Sequence, residues 1–310
     1  MHRYLIRRLL QAVVLLLIMS VVFFGLIHAI PGGGPEALIF NPRMSRATRD
    51  AIAAKWHLHD PLPIQYLTWL QHTLQGDFGL SILNGQPVAP QILGRLGPTL
   101  ELFGYTFAFS LVVAILLGVF SAVRQYSILD YGVTLLAYAG ISMPVFWFAL
   151  ILQQIFGVQL RLLPIFGQAS ADIEGFSSFD LWQDRMLHII LPVIVLSLLF
   201  IATWSRFLRS SMLDVVKQDY IRTARAKGLS NRLVFFRHAL RNALIPLITQ
   251  VAIGFGGIAG GATITETIFA RPGLGSFFLS ALGLPDYPVL LAMLLLAAAC
   301  VIVFNLIGDV

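Results

Sequence analysis

The sequence predicts an all-α integral membrane protein with six transmembrane helices. Three observations carry that prediction. Of the 310 residues, 57% are hydrophobic and only 12% are charged, whereas charged residues make up roughly a quarter of an ordinary soluble domain. The apolar residues gather in six runs, each near the 20 or so helical residues that cross about 30 Å of hydrocarbon. The net charge of +6 sits between these runs, above all in a polar, basic island at 209–244.

Arg3, Arg7 and Arg8 precede the first apolar run, Leu9 to Ile30. That run is longer than the roughly 7–15 apolar residues of a signal peptide, and Ala29-Ile-Pro-Gly-Gly is a poor cleavage site. Residues 1–30 therefore read as a cytoplasmic tip and an uncleaved first span. Residues 31–98 are too long and too polar for a turn and form an extracytoplasmic region. Within it Ser45 caps a helix through Arg49, Ile52 and Lys55, and Ile64 to Leu74 forms another, closed by Gly76. His57 and His59 are metal ligands by type, but their i, i+2 spacing without a nearby third ligand reads as surface, and no metal site is expected.

Residues 99–310 supply the other five spans. Thr99 to Val123 is the second, with Pro98 in its first turn. A short link at 124–130 leads to the third, Tyr131 to Val158, whose internal Pro144 loses a backbone bond that neighbours can repair. The 161–185 loop carries Asp172, Glu174, Asp180 and Asp184 and lies outside; Leu187 to Phe207 is the fourth span. The fifth, Ile245 to Phe269, holds the pairs Gly256/Gly260 and Gly257/Gly261. Small residues at that spacing let another helix approach closely, with a translocation lining as the alternative on the same face. An outside connection through Thr263–Gly275 and Asp286–Leu290 precedes the sixth span, Val289 to Ile307. Cys300, the single cysteine, excludes an intramolecular disulfide.

The island sets Arg209, Lys217, Arg222, Arg225, Lys227, Arg232, Arg237 and Arg241 against Asp214 and Asp219. In a membrane protein such an excess marks a cytoplasmic loop, and six spans then place both termini in the cytoplasm. Asp219 to Lys227 reads as a short helix with Ile221, Ala224 and Gly228 on one slim face. Gly228 ends it in the left-handed conformation, and Ser230 or Asn231 caps the next helix. That helix carries Leu233, Phe236, Leu240 and Leu244 on one face, a pattern suited to a membrane surface or a partner protein. From the residues alone, a solvated basic loop that only sets topology remains the alternative.

The run Asp219-Tyr-Ile-Arg-Thr-Ala-Arg-Ala-Lys-Gly-Leu229, followed by His238-Ala-Leu-Arg-Asn-Ala-Leu-Ile-Pro246, resembles the cytoplasmic coupling motif of ABC-transporter permeases. Within them it is most similar to the dipeptide/oligopeptide/nickel import branch. The segments 56–70, 76–81, 160–167, 263–275 and 286–290 share the likeness, which covers nearly the whole chain. One departure is visible: the general motif has Glu-Ala-Ala before the glycine, where this chain has Arg222, Thr223 and Ala224.

The resemblance implies the type I ABC importer permease fold, multi-pass in a bacterial or archaeal plasma (inner) membrane. It implies a permease subunit of an ATP-driven importer moving a small solute, foremost di- or oligopeptides, with nickel, glutathione and sugar as variants. The implied partners are a second homologous permease subunit, two ATP-binding subunits, an extracytoplasmic substrate-binding protein and membrane lipid. The short helix enters a groove of the ATPase, which assigns coupling to Asp219, Tyr220, Arg222, Thr223, Ala224, Arg225, Ala226, Lys227 and Gly228. A short cytoplasmic tail beyond Val310 is implied as well.

Other chemistry is poorly served. The sequence contains no Gly-x-x-x-x-Gly-Lys-Ser/Thr loop; Gly32-Gly-Gly-Pro-Glu36 lacks the lysine. No cofactor is expected in this chain, and ATP and Mg²⁺ belong to the partner ATPases. Neither a Gly-x-Ser-x-Gly elbow nor a His-Glu-x-x-His motif occurs, so the chain is not expected to be an enzyme. An intramembrane enzyme would need a serine to meet His188 or His28. An ion-gradient-driven secondary transporter is the stronger alternative, but it wants ionisable residues deep in the spans, and Glu101 and Glu266 sit near helix ends. Glu266, with Arg271 as its nearest partner in sequence, is the candidate gate or path residue; a helix-end residue that only packs is the alternative. Nucleic acid is excluded, because the basic residues are not interleaved with exposed aromatics.

Overall fold

The computed structural model describes residues 2–30, 45–170 and 175–309. The glycine turn at 32–36, Asp172, Glu174 and Val310 lie outside them. The described residues build helices, with one isolated bridge, Leu80 to Pro87, in place of any strand among them. In chain order these are α1 (His2–Ala29), α2 (Arg46–Lys55), α3 (Leu62–Leu74) and α4 (Val88–Val123). Next come α5 (Ile128–Ser142), α6 (Val145–Gln159), α7 (Ser178–Val216) and α8 (Asp219–Ala226). The last are α9 (Asn231–Gly256), α10 (Thr263–Ile268), α11 (Leu274–Gly283) and α12 (Tyr287–Asp309). Of these, 5 are long and apolar enough to cross a membrane, and the bent pair α5–α6 makes 6 if it is one span.

Several span boundaries differ from the sequence expectation, each for a local physical reason. The second span begins at Val88, so Pro98 is interior rather than in the first turn. Glycine makes this tolerable. Gly97 has no Cβ to meet the proline ring, and the carbonyl that loses its donor belongs to Gly94. The added turns bury Val88 and Ile92. At Pro144 the expected repair does not occur. Met143 adopts the extended conformation (ψ 123°) that a following proline imposes, and α5 and α6 meet at a bend of 104°. The fourth span starts early, at Ser178, because Ser177 and Asp180 form a reciprocal capping box; Asp180 and Asp184 thus belong to α7, not to a loop.

The fifth span is broken too. After Gly256 the chain tightens into a 3₁₀ turn, Gly257–Gly260, and Gly261 takes φ +65°. A Cβ on Gly261 would fall 2.3 Å from the Gly275 nitrogen, and one on Gly256 would fall 3.1 Å from the Val301 Cα. At Gly257 and Gly260 nothing lies within 4 Å of such an atom. Within this chain Gly256 and Gly261 each serve a separate close approach, while Gly257 and Gly260 meet none of its own atoms. The connection that follows contains α11, a helix the hydrophobic pattern does not anticipate.

Residues 1–99, 256–263 and 272–306 form one compact unit. Its core gathers Phe24, Trp56, Trp69, Val88, Leu274 and Tyr287. A buried carboxylate, Asp286, ties the 81–83 turn down: it accepts from Ser81 Oγ and from the backbone N–H of Ile82 (3.1 Å) and Leu83 (3.4 Å). Residues 100–255, 264–271 and 307–310 form the other unit. Here Phe107 meets Phe255, Phe200 and Trp204 at ring separations of 4.4, 4.9 and 5.5 Å. Ala149, Leu152, Leu191, Val195 and Phe269 build a second cluster. Helices α5 and α7 approach closely at Gly140, where a Cβ would stand 3.1 Å from Leu198.

Candidate coupling site

The island folds as a short helix laid on the start of a long one. Ile221 and Ala224, at 0% and 7% exposure, anchor α8 to its own chain, against the Val234–Ala239 segment. A polar tie adds to this, since Asn242 Nδ2 donates to the Tyr220 hydroxyl at 2.7 Å. Inside α8, Thr223 Oγ1 donates to the Asp219 carbonyl at 3.0 Å. Asp219 and Arg222 lie 3.5 Å apart with side chains 96% and 76% exposed, so water screens most of that attraction.

Gly228 has φ +79°, the left-handed cap its type anticipates. Its N–H donates to Arg225 O at 2.9 Å and the Leu229 N–H to Ala224 O at 3.4 Å, the double closure of a Schellman motif. Ser230 Oγ then accepts from the Leu233 N–H and starts α9.

Two details depart from the sequence reading. The Ile221/Ala224/Gly228 face is divided: Ile221 and Ala224 point inward, while Gly228 is exposed, with nothing within 4 Å of a Cβ placed there. The outward surface of α8 is instead Arg222, Thr223, Arg225, Ala226 and Lys227. On α9, the buried row is Val234, Ala239, Ala243 and Leu247, whereas Leu233 and Phe236 are exposed. A π-helical turn over Val234–Ala239 inserts one extra residue, so the first step along that row is 5 residues and the later ones 4. A uniform helical period misses this shift.

Beneath the island lies a cluster that the sequence did not reveal. Asp130, in the first turn of α5 and 2% exposed, receives both Arg209 Nε (2.7 Å) and Arg209 Nη2 (2.8 Å). It also accepts from Ser121 Oγ on α4 and from the Tyr126 N–H, 2.9 Å away. Tyr126 itself is held at φ +61°, a conformation uncommon for a side chain with a Cβ. One carboxylate thus joins α4, α5, α7 and the intervening turn. Arg209, read in the sequence as one more island cation, is neutralised here.

The other candidate, Glu266, is 1% exposed on α10. Its backbone carbonyl accepts from the Arg271 N–H at 2.8 Å. The guanidinium of Arg271 pairs at 2.9 Å with Glu101. Burial pushes the Arg271 pKa down, and Glu101 and then Glu266 oppose that shift. His57 stands 2.7 Å from Asp60, and no group of three or more His, Cys, Asp or Glu that could hold a metal occurs among the described residues.

Comparison with known proteins bears on what this arrangement is for. Residues 114–310 match the family of the binding-protein-dependent transport system inner membrane component, and residues 1–103 match the N-terminal membrane component of such systems. The chain is 42% identical over 311 residues to the oligopeptide transport system permease protein AppB of Bacillus subtilis, covering 100% of this chain and 96% of that protein. With the same coverage of both chains it is 36% identical to the glutathione transport system permease protein GsiC of Salmonella choleraesuis. It is also 35% identical to the dipeptide transport system permease protein DppB of Alkalihalophilus pseudofirmus, again over 100% of this chain and 96% of that protein. Likeness at this level extends over the whole length of the chain, and on that basis the chain belongs to the binding-protein-dependent inner membrane components, the multi-pass permease subunits of ABC importers.

Proposed function

We propose that this permease moves short peptides inward, driven by ATP hydrolysed in partner subunits, and that α8 is the contact through which the drive arrives. The observation that carries the reading is the division of α8 into two faces. Ile221 and Ala224 are buried in the helix that packs on the Val234–Ala239 segment of α9, a segment that also meets α7, so a push on α8 reaches long helices. Its other face offers Tyr220, Arg222, Thr223, Arg225, Ala226, Lys227 and Gly228 to solvent, a cationic surface complementary to an acidic-rimmed groove. Asp219 caps the helix electrostatically at its N-terminal end, and Ala224 serves from the inner side. The partners are a second homologous permease, two ATPases holding ATP and Mg²⁺, and an extracytoplasmic binding protein that delivers the solute. The substrate class follows from the relatives' names, oligopeptide, dipeptide and glutathione. Glutathione is itself a tripeptide, so a short peptide is the shared chemistry. Glu266 is retained as a gate or path residue, held with Arg271 and Glu101 near the outer end of the spans.

The test is Gly228→Asp in the assembled transporter. Backbone strain of about 1 kcal/mol leaves insertion near normal, because the new side chain meets open space. The added negative charge and bulk fall on the docking face. ATPase retention per inserted subunit is expected to fall at least about tenfold and labelled-dipeptide uptake to vanish. Normal values for both ratios would sink the coupling assignment. Orientation is tested in a Cys300→Ala background. A cysteine at Ser178 should label from outside intact cells, and one at Gln218 only after the membrane is opened; outside labelling at Gln218 overturns the six-span topology.

A further inference from the structure

We propose that the groove between α5 and α7 is a binding site for the headgroup of an acidic glycerophospholipid, with Arg206 as its cation. The groove encloses about 450 Å³, within the range of roughly 300–1,000 Å³ that small-molecule sites occupy. From α5 it is lined by Thr134, Tyr138 and Ile141, and from α7 by Thr203, Arg206, Phe207, Arg209 and Ser210. These spacings place each set on a single helix face.

The charge at its centre is uncommitted. Arg209, one turn along α7, is held bidentate by Asp130. Arg206 forms no ion pair among the described residues. Its guanidinium instead lies 4.6 Å from the Tyr138 ring centroid. Stacking of this kind fixes the plane of the guanidinium and leaves its edge free for two parallel bonds to a phosphate. Thr134 and Thr203 add hydroxyl donors to the same space.

Depth selects the occupant. Arg206 stands at the end of the apolar Leu187–Phe207 run, where the island begins, which is the level of lipid headgroups. Ile141 and Phe207, 42% and 44% exposed, give the groove an apolar wall along which an acyl chain can lie. A phosphodiester with hydrocarbon attached satisfies both parts; basic pockets between membrane helices near this level suit acidic lipids. A peptide carboxylate satisfies only the polar part.

The experiment measures lipid retained by the purified full-length chain in native mass spectrometry, with phosphatidylglycerol and phosphatidylcholine of identical acyl chains as probes. Phosphatidylglycerol is expected to be retained about fivefold over phosphatidylcholine, the preference one interfacial arginine supplies. Arg206→Gln should bring the two near parity, and Arg206→Lys should keep part of the preference. Arg232→Gln, which removes an exposed island cation outside the groove, should leave it unchanged. An unaltered preference in Arg206→Gln overturns the proposal, as does an equal loss in Arg232→Gln, which would signify diffuse attraction. Displacement of the lipid by inorganic phosphate would make this a free-anion site. Displacement by a dipeptide but not by its C-terminal amide would make it a substrate subsite. Either result overturns the lipid assignment.

Discussion

Asp130 and Asp286 are equally buried, each 2% exposed, yet they are satisfied in opposite ways. Asp130 belongs to the 100–255 portion and faces a full cation, Arg209. Asp286 belongs to the other unit and takes the Ser81 hydroxyl and two backbone N–H groups of a turn. Both carboxylates fasten a loop to a helix start. The difference teaches where single substitutions hurt. A carboxylate matched by a cation cannot be neutralised without stranding the partner, whereas one matched by dipoles needs mainly an acceptor oxygen.

Asparagine substitution is the sharpest way to break that comparison. Asp130→Asn should cost about 3 kcal/mol, the low end for a broken buried pair, because Arg209 keeps 27% of its exposure. Thermal unfolding of the purified subunit measures it. In Asp130→Asn/Arg209→Gln much of the loss should return; additive losses would mean the two groups do not act as a pair. Asp286→Asn should cost only about 1 kcal/mol, since one acceptor oxygen remains, while Asp286→Ala should cost about 2 kcal/mol by leaving buried donors unmet. Faster backbone hydrogen exchange at Ile82 and Leu83 in the alanine variant alone would localise that cost. Equal effects of asparagine at both sites would remove the distinction. The smallest effect sharpens the same point at the surface. Arg222→Gln removes the partner of Asp219 where water screens the pair, so the unfolding midpoint should not move even as ATPase retention weakens.

How much of this was legible in the sequence differs between neighbouring features. Gly228 and Ser230 were readable, because a helix cap depends on residue type and on bonds a few positions away. The island helix was readable for the same reason. The Asp130–Arg209 pair was not, since its members lie 79 positions apart, and the Ser81–Asp286 contact spans 205. An aspartate in a seven-residue link carries no local mark of its partner. The inward face of α9 does not follow a uniform helical period, because the π turn changes that period partway along. Pro144 announced a weak point, but whether neighbours would repair it depended on packing, and the helix breaks there instead.

Composition and spacing by themselves determined that this chain is helical, lies in a membrane, and carries one basic, capped helix between long apolar runs. Those properties rest on transfer of side chains from water and on hydrogen bonds within a turn, both of which are local in sequence. Tertiary structure decided which face of that helix stays exposed, which arginine is neutralised and which is not, and where glycine is required. Ile221 faces inward because α9 is there to cover it, and Gly261 must lack a side chain because the Gly275 backbone occupies its place. Such outcomes depend on which distant segments meet, and no single stretch of sequence contains both sides of the contact.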